Sequence, residues 1–203
     1  MRRVIDRRQL IQRCACAALG GVAWARYGSA WGQGAPLPDM KPQQVAPGCW
    51  FVEGLSALGS PANANFISNA GFVVTSAGVV VIDALGSPAL AERLVAEIKK
   101  ITPQKITHVV LTHYHADHVY GLQVFEKLGA RIIAHQAGRE YLYADTARLR
   151  LEQSRKDLAP WIDEQTHLAA ATEWIAARRE LTVGDTRLVI QPVGPAHTPE
   201  DLA

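Results

Sequence analysis

Within the run Thr112-His113-Tyr114-His115-Ala116-Asp117-His118, three imidazoles and a carboxylate fall inside six residues. Neutral imidazole suits zinc, and a carboxylate oxygen completes such a shell or serves a second cation. In an extended segment, side chains two residues apart point the same way, so His113 and His115 are expected to face one cation. Asp117 and His118 are expected to turn into a following helix, toward another. Ile106 to Leu111, just before the run, reads as a strand, and open α/β sheets place their sites beyond the carboxyl ends of strands. A further histidine, His197, lies in the polar segment Gly194-Pro195-Ala196-His197-Thr198-Pro199, and Asp83 closes an earlier apolar run. His108, His135 and His167 stand apart and read as structural or solvated, because lone titratable groups are usually not functional. Cys49 has no histidine near it in sequence and is not read as a nucleophile.

The elements that must position these residues follow from pattern. Phe72–Thr75 and Val79–Ile82 are two β-branched runs about Ser76-Ala77-Gly78, a hairpin signature. Ser87 can cap a helix with Pro88 in its first turn; Leu90, Leu94, Val95 and Ile98 share a face, and the helix must stop before Thr102-Pro103. Val119 to Leu128 reads as a helix stopped by Gly129, and Arg131 to Ala134 as a strand. A strand, a helix and a strand in that order predict a parallel pair. Residues 136–179 are charged, Ala-rich and Leu-bearing, with Pro160 as the breaker, which suits two helices. Leu181–Val183 and Thr186–Gln191 about Gly184-Asp185 form a second hairpin, and from Val193 a loop runs to Ala203.

At 203 residues the chain has room for one domain and a short appendage. With 48% hydrophobic and 20% charged residues, disordered and collagen-like classes drop out. The net charge of +2 is misleading, because six arginines and only Asp6 lie in residues 1–30; the remainder holds 15 bases against 18 acids. That acidic body gives no basis for nucleic-acid binding, and small-molecule substrates are expected instead. Residues 1–30 have signal-peptide layout: basic Arg2 to Arg13, an apolar run from Cys14 to Ala25, then small residues. Asp6-Arg7-Arg8-Gln9-Leu10-Ile11-Gln12 resembles a twin-arginine signal, so export to the periplasm is the expectation. Twelve apolar residues rise only about 18 Å as a helix, short of a bilayer core of about 30 Å, so no membrane span is expected once the leader is removed. Residues 31–47 read as a linker and 48–203 as the folded domain. Loss of Cys14 and Cys16 with the leader would leave Cys49 alone, which permits neither an intrachain disulfide nor a thiolate cluster.

The motif His113-x-His115-x-Asp117-His118 after an apolar strand resembles the metallo-β-lactamase-fold hydrolases. The resemblance runs from about Val52 through Val81-Ile82-Asp83 and the motif to Gly194-Pro195-Ala196-His197, nearest to glyoxalase II-like and quinoprotein-relay-associated members. It implies an α/β (α+β) fold, the αββα sandwich. It also implies one or two zinc ions, the first held by His113, His115 and His197, the second by Asp117 and His118. Asp83 would brace the motif loop by hydrogen bonds, a plain strand-end cap being the other reading. Asp117 would be catalytic, holding metal and orienting the nucleophile on an ester, thioester, lactone or β-lactam. Persulfide dioxygenases of the same fold share the motif but use one iron held by two histidines and a carboxylate, which makes an oxidoreductase the alternative. The family also needs a bridging acid and a last histidine beyond the position of His197. Asp201 follows too closely to be that acid, so the resemblance predicts a C-terminally truncated member, its sandwich incomplete in the second half. A remnant that binds metal without turnover is the third reading. Residues 136–179, between motif and His197, would wall the pocket or pack on the sheet.

Overall fold

A computed structural model describes residues 36–203; the expected leader, with Cys14 and Cys16, lies outside the described residues. Nine strands and five helices follow. β1 (Gln43–Ala46), β2 (Cys49–Val52), β3 (Ala70–Thr75) and β4 (Gly78–Ile82) pair antiparallel in chain order. β5 (Ile106–Val110), β6 (Arg131–His135) and β7 (Glu173–Ile175) then add in parallel to β4, giving a seven-stranded sheet in the order β1-β2-β3-β4-β5-β6-β7. The expected β3–β4 hairpin and the parallel β4–β5 pair are both present.

The apolar runs of β4 to β6 alternate between two cores, as the period of a strand demands. Val79, Val81, Val109, Ile132 and Ala134 enter one cluster, and Val80, Val110 and Ile133 the other. Helix α1 (Pro88–Ile101) covers the first face. Its Ser87 cap accepts from the Leu90 amide at 3.4 Å, and Thr102 leaves the helix in an extended conformation ahead of Pro103. Leu90, Leu94 and Ile98 are wholly buried. Leu94→Ala is expected to cost about 2–5 kcal/mol through lost transfer energy and a residual cavity. Urea unfolding checks this; a midpoint within error of the parent would place Leu94 outside the core. The second face is covered by an antiparallel hairpin, β8 (Arg179–Val183) with β9 (Thr186–Ile190), through Leu181, Val183 and Ile190. No described helix is long and apolar enough to cross a membrane.

Four expectations change. The helix expected over 119–128 is broken into α2 (Ala116–Val119) and α3 (Leu122–Lys127). Gly121 stands at the break, where a Cβ would lie 2.0 Å from the Ala84 carbonyl oxygen and 2.7 Å from the Ala91 methyl. Its amide donates to Leu85 at 3.1 Å, and the Ala84 amide donates to the His118 carbonyl at 2.9 Å. The motif helix is thus docked backbone to backbone on the turn after β4, which a continuous helix with side chains there would prevent. Residues 136–179 hold two helices, α4 (Gly138–Leu142) and α5 (Asp145–Asp157), but also strand β7, whose three residues are too few to show a period. β8 also begins inside that segment. The sheet starts at Gln43, inside the expected linker: β1 is an edge strand exposed at every residue, so it lacks an alternating pattern, although Met40 before it is buried. Finally, the segment after Val193 is not a free loop. Gln191 and Ala203 exchange amide hydrogen bonds of 2.8 and 2.9 Å, and Pro192 bridges Leu202.

Candidate metal centre

The site lies beyond the carboxyl ends of the parallel strands β4 and β5. Asp83 follows β4 with a left-handed φ of 63°, a conformation that Asp tolerates better than most residues. Its carboxylate accepts from the Thr112 amide at 2.8 Å, the Thr112 hydroxyl at 2.7 Å and His118 Nδ1 at 2.8 Å. Because the Thr112 proton goes to Asp83, the Thr112 oxygen must accept from His113 Nδ1, 2.9 Å away. The network therefore assigns His113 the tautomer whose Nε2 carries a free lone pair. That Nε2 is buried and has no hydrogen-bond partner. Burial, then the neighbouring His118, lowers the His113 pKa to about 4, so at neutral pH the ring is neutral.

Tyr114 alternates away from its flanking histidines into the core. It stacks on Trp174 with centroids 5.8 Å apart, and its hydroxyl accepts from the Ala171 amide at 3.2 Å. Burial pushes its phenol well above the ordinary range. This anchored side chain holds His113 and His115 on the opposite side of the strand extension, with their rings 4.7 Å apart edge to face. His115 is the residue before α2, so Asp117 and His118 project from its first turn. His118 Nε2 lies 3.4 Å from Asp117 Oδ2. Burial disfavours the charged imidazole of His118, but its hydrogen bond to Asp83 and the two carboxylate charges outweigh this and raise its pKa.

His197 arrives from the other end of the chain. The Leu202 amide donates to the Thr112 carbonyl at 2.9 Å, which ties the segment after His197 to the residue before His113. Inside that loop the buried Asp201 accepts from the His197 and Thr198 amides and from the Thr198 hydroxyl. Burial pushes the Asp201 carboxyl upward, but these bonds prevail and hold it below its usual range. The result puts His197 Nε2 3.0 Å from His115 Nδ1. The candidate ligand atoms of His113, His115 and His197 lie within 4.8 Å of one another, the one such group of three among the described residues.

His115 Nδ1 and His197 Nε2 face each other across a gap that a proton or a cation must fill, beside the buried and unpartnered Nε2 of His113. The donor set fits a borderline cation such as zinc, which three imidazoles hold with a fourth position open. Asp117 and His118 stand beside this group without a third donor among the described residues. His108, His135 and His167 are elsewhere: in β5, at the end of β6, and 3.0 Å from Glu126 in an exposed pair. Thr112 was not singled out by sequence, and Asp201 was weighed there only as a bridging acid and set aside. The signal for Asp201 was the spacing Thr198-Pro199-Glu200-Asp201, in which the acid three residues on accepts from both the amide and the hydroxyl of Thr198.

A family model described as the metallo-beta-lactamase superfamily matches residues 64–202. A metallo-beta-lactamase type 2 of Elizabethkingia meningoseptica is 38% identical over 66 residues, covering 32% of this chain and 26% of that protein. A metallo-beta-lactamase structure from Pontibacter korlensis superposes with a TM-score of 0.58 at 18% identity, covering 81% of this chain and 65% of that one. One from Cronobacter sakazakii gives 0.56 at 21% identity, covering 85% and 58%. The chain thus spans about a quarter of the curated relative and under two thirds of these solved structures.

Proposed function

Since the chain belongs to the metallo-beta-lactamase superfamily, we propose that it is a zinc-dependent hydrolase of an ester, thioester, lactone or β-lactam type substrate, exported to the periplasm. The observation that carries the reading is the buried, unpartnered Nε2 of His113 converging with His115 and His197. When bound there, zinc supplies Lewis acidity that acidifies water and polarises a scissile carbonyl. The chain's own residues do the rest. His113, His115 and His197 hold the ion, and the Asp83–Thr112–His113 relay fixes the tautomer that offers Nε2. Asp117, 3.4 Å from His118, is the group placed to accept a proton from, and so orient, an attacking water. His118, gripped by Asp83, holds Asp117 in turn. Three converging imidazoles are a set that zinc accepts with its fourth position open, and the identity of the bound metal separates the hydrolase from the dioxygenase.

The test is hydrolysis of nitrocefin, a thioester and a lactone by zinc-loaded protein. Activity removed by a chelator and restored by zinc is expected. Zinc uptake without turnover on the panel leaves a metal-binding module, and oxygen consumption with a persulfide in the iron-loaded protein supports the oxidoreductase instead.

Asp201 acts through His197, and Asp201→Ala is expected to lower zinc affinity about 10- to 100-fold, the range for residues that orient a ligand. Competition with a chromophoric chelator measures it. Unchanged affinity would mean that the His197 loop is held by its Gln191–Ala203 closure alone.

A further inference from the structure

Opposite the metal centre, which lies past the carboxyl end of β5, a groove of about 510 Å³ opens at the amino end of that strand, between α1, residues 103–105 and the end of α3. Its floor is apolar: Val95 and Ile98 of α1 are buried, Ile106 of β5 is half-buried, and Leu128, 48% exposed, stands at its lip. A second recess of about 370 Å³ shares Val95, Lys99 and Leu128 with it and reaches Lys127. The backbone holds the groove open. Gln104 Nε2 donates to the Ser76 carbonyl at 3.1 Å and the Val79 amide to the Lys105 carbonyl at 2.8 Å, which fixes the wall at residues 103–105. At the α3 end Gly129 turns the chain at a left-handed φ of 74°, and a Cβ there would meet nothing within 4 Å. Preformed, mostly apolar clefts of about 300–1,000 Å³ are the usual form of a small-molecule site.

The rim carries one sign of charge. Lys99 and Lys105 line the groove and Lys127 the recess, against a single acid, Glu92, in the recess and none in the groove. Both α1 and α3 end here, but roughly half a negative charge from each helix terminus does not cancel three ammonium groups. The lysine stems extend the apolar wall while their hydrated heads stand at its edge. We propose that this groove binds a free single-chain carboxylate with an aliphatic tail, a medium-chain fatty acid, with the tail on Val95, Ile98, Ile106 and Leu128 and the head between Lys99 and Lys105. Burial of the tail supplies the affinity, and the lysines select the sign of the head group. The site is separate from the metal centre and does not depend on the reading of that centre as a hydrolase.

Amide chemical-shift titration of the zinc-loaded protein with octanoate, hexanoate and octylammonium tests this, read at Val95, Lys99, Leu128 and Gly129, which a carboxylate bound to the metal would not touch. Octanoate is expected to bind about tenfold or more tighter than octylammonium, as a charge-assisted head group implies. Its two additional buried methylenes should make it bind about tenfold tighter than hexanoate. Lys99→Gln combined with Lys105→Gln should erase the preference for the anion and spare the effect of tail length; Leu128→Gln should shrink the effect of tail length and spare the preference. All three positions are exposed, so the fold tolerates the changes. Octanoate shifts absent from the groove, equal binding of octanoate and octylammonium, or a preference unchanged in the double variant overturns the proposal. Sedimentation of the same samples covers the other occupant: a concentration-dependent dimer that Leu128→Gln dissociates gives this face to a second copy of the chain and likewise overturns it.

Discussion

Replacing His115 by Ala is expected to abolish zinc binding at micromolar metal while leaving the fold intact. Zinc sites that keep an open position retain three protein ligands, and this substitution leaves two. The loss should exceed the 10- to 100-fold drop that follows removal of a residue merely orienting a ligand. His115 is half-buried in a connection, so little packing goes with it. In the metal-free protein its one polar contact with another ring is the half-exposed 3.0 Å approach of its Nδ1 to His197 Nε2, worth about 1 kcal/mol at most. Metal-free His115→Ala should therefore be no less stable than the metal-free parent by more than about 1 kcal/mol. Zinc content by mass spectrometry and urea unfolding of both proteins separate the two effects. Retained zinc in the variant would remove His115 from the ligand set.

Gly121→Ala is expected to be the more damaging change to the fold. The backbone at Gly121 has φ −81° and ψ −6°, which any residue adopts, so the penalty is purely steric. The added Cβ would meet the Ala84 carbonyl oxygen at 2.0 Å and the Ala91 methyl at 2.7 Å, and neither atom is the end of a flexible side chain. Relief requires α3 and the motif helix to part from the turn that carries Asp83. Overpacking of this kind costs about 1–3 kcal/mol and more where backbone must move. We expect the top of that range or loss of folding, with weakened zinc binding in any folded fraction because Asp83 and His118 separate. Parental stability and parental zinc affinity in Gly121→Ala would show that α2 does not depend on this contact.

These two positions mark what could be read in the sequence and what could not. His113, His115, Asp117 and His118 were legible because ligand chemistry restricts residue type and spacing so tightly that packing rarely imitates it. The β3–β4 hairpin and α1 were legible through period and caps, Ser87 most directly. Gly121 was not, since a glycine within an apolar helical run looks tolerable until its neighbour across the fold is known. β7 is three residues long and β1 is exposed throughout, so neither displays a period. His197 could be suspected from its resemblance to a family loop, but the clamp that aims it, Asp201 on the amides of residues 197 and 198, depends on a closure between Gln191 and Ala203 that only the folded chain displays.

Zinc K-edge X-ray absorption of the zinc-loaded protein tests the central claim most directly, because it reports the ligand type at the bound ion whatever the substrate. The predicted spectrum has a nearest shell at about 2.0–2.1 Å with the outer-shell scattering of three imidazole rings. A shell of oxygen donors without imidazole scattering, or one containing sulfur from Cys49, would contradict the assignment of His113, His115 and His197 as the metal centre.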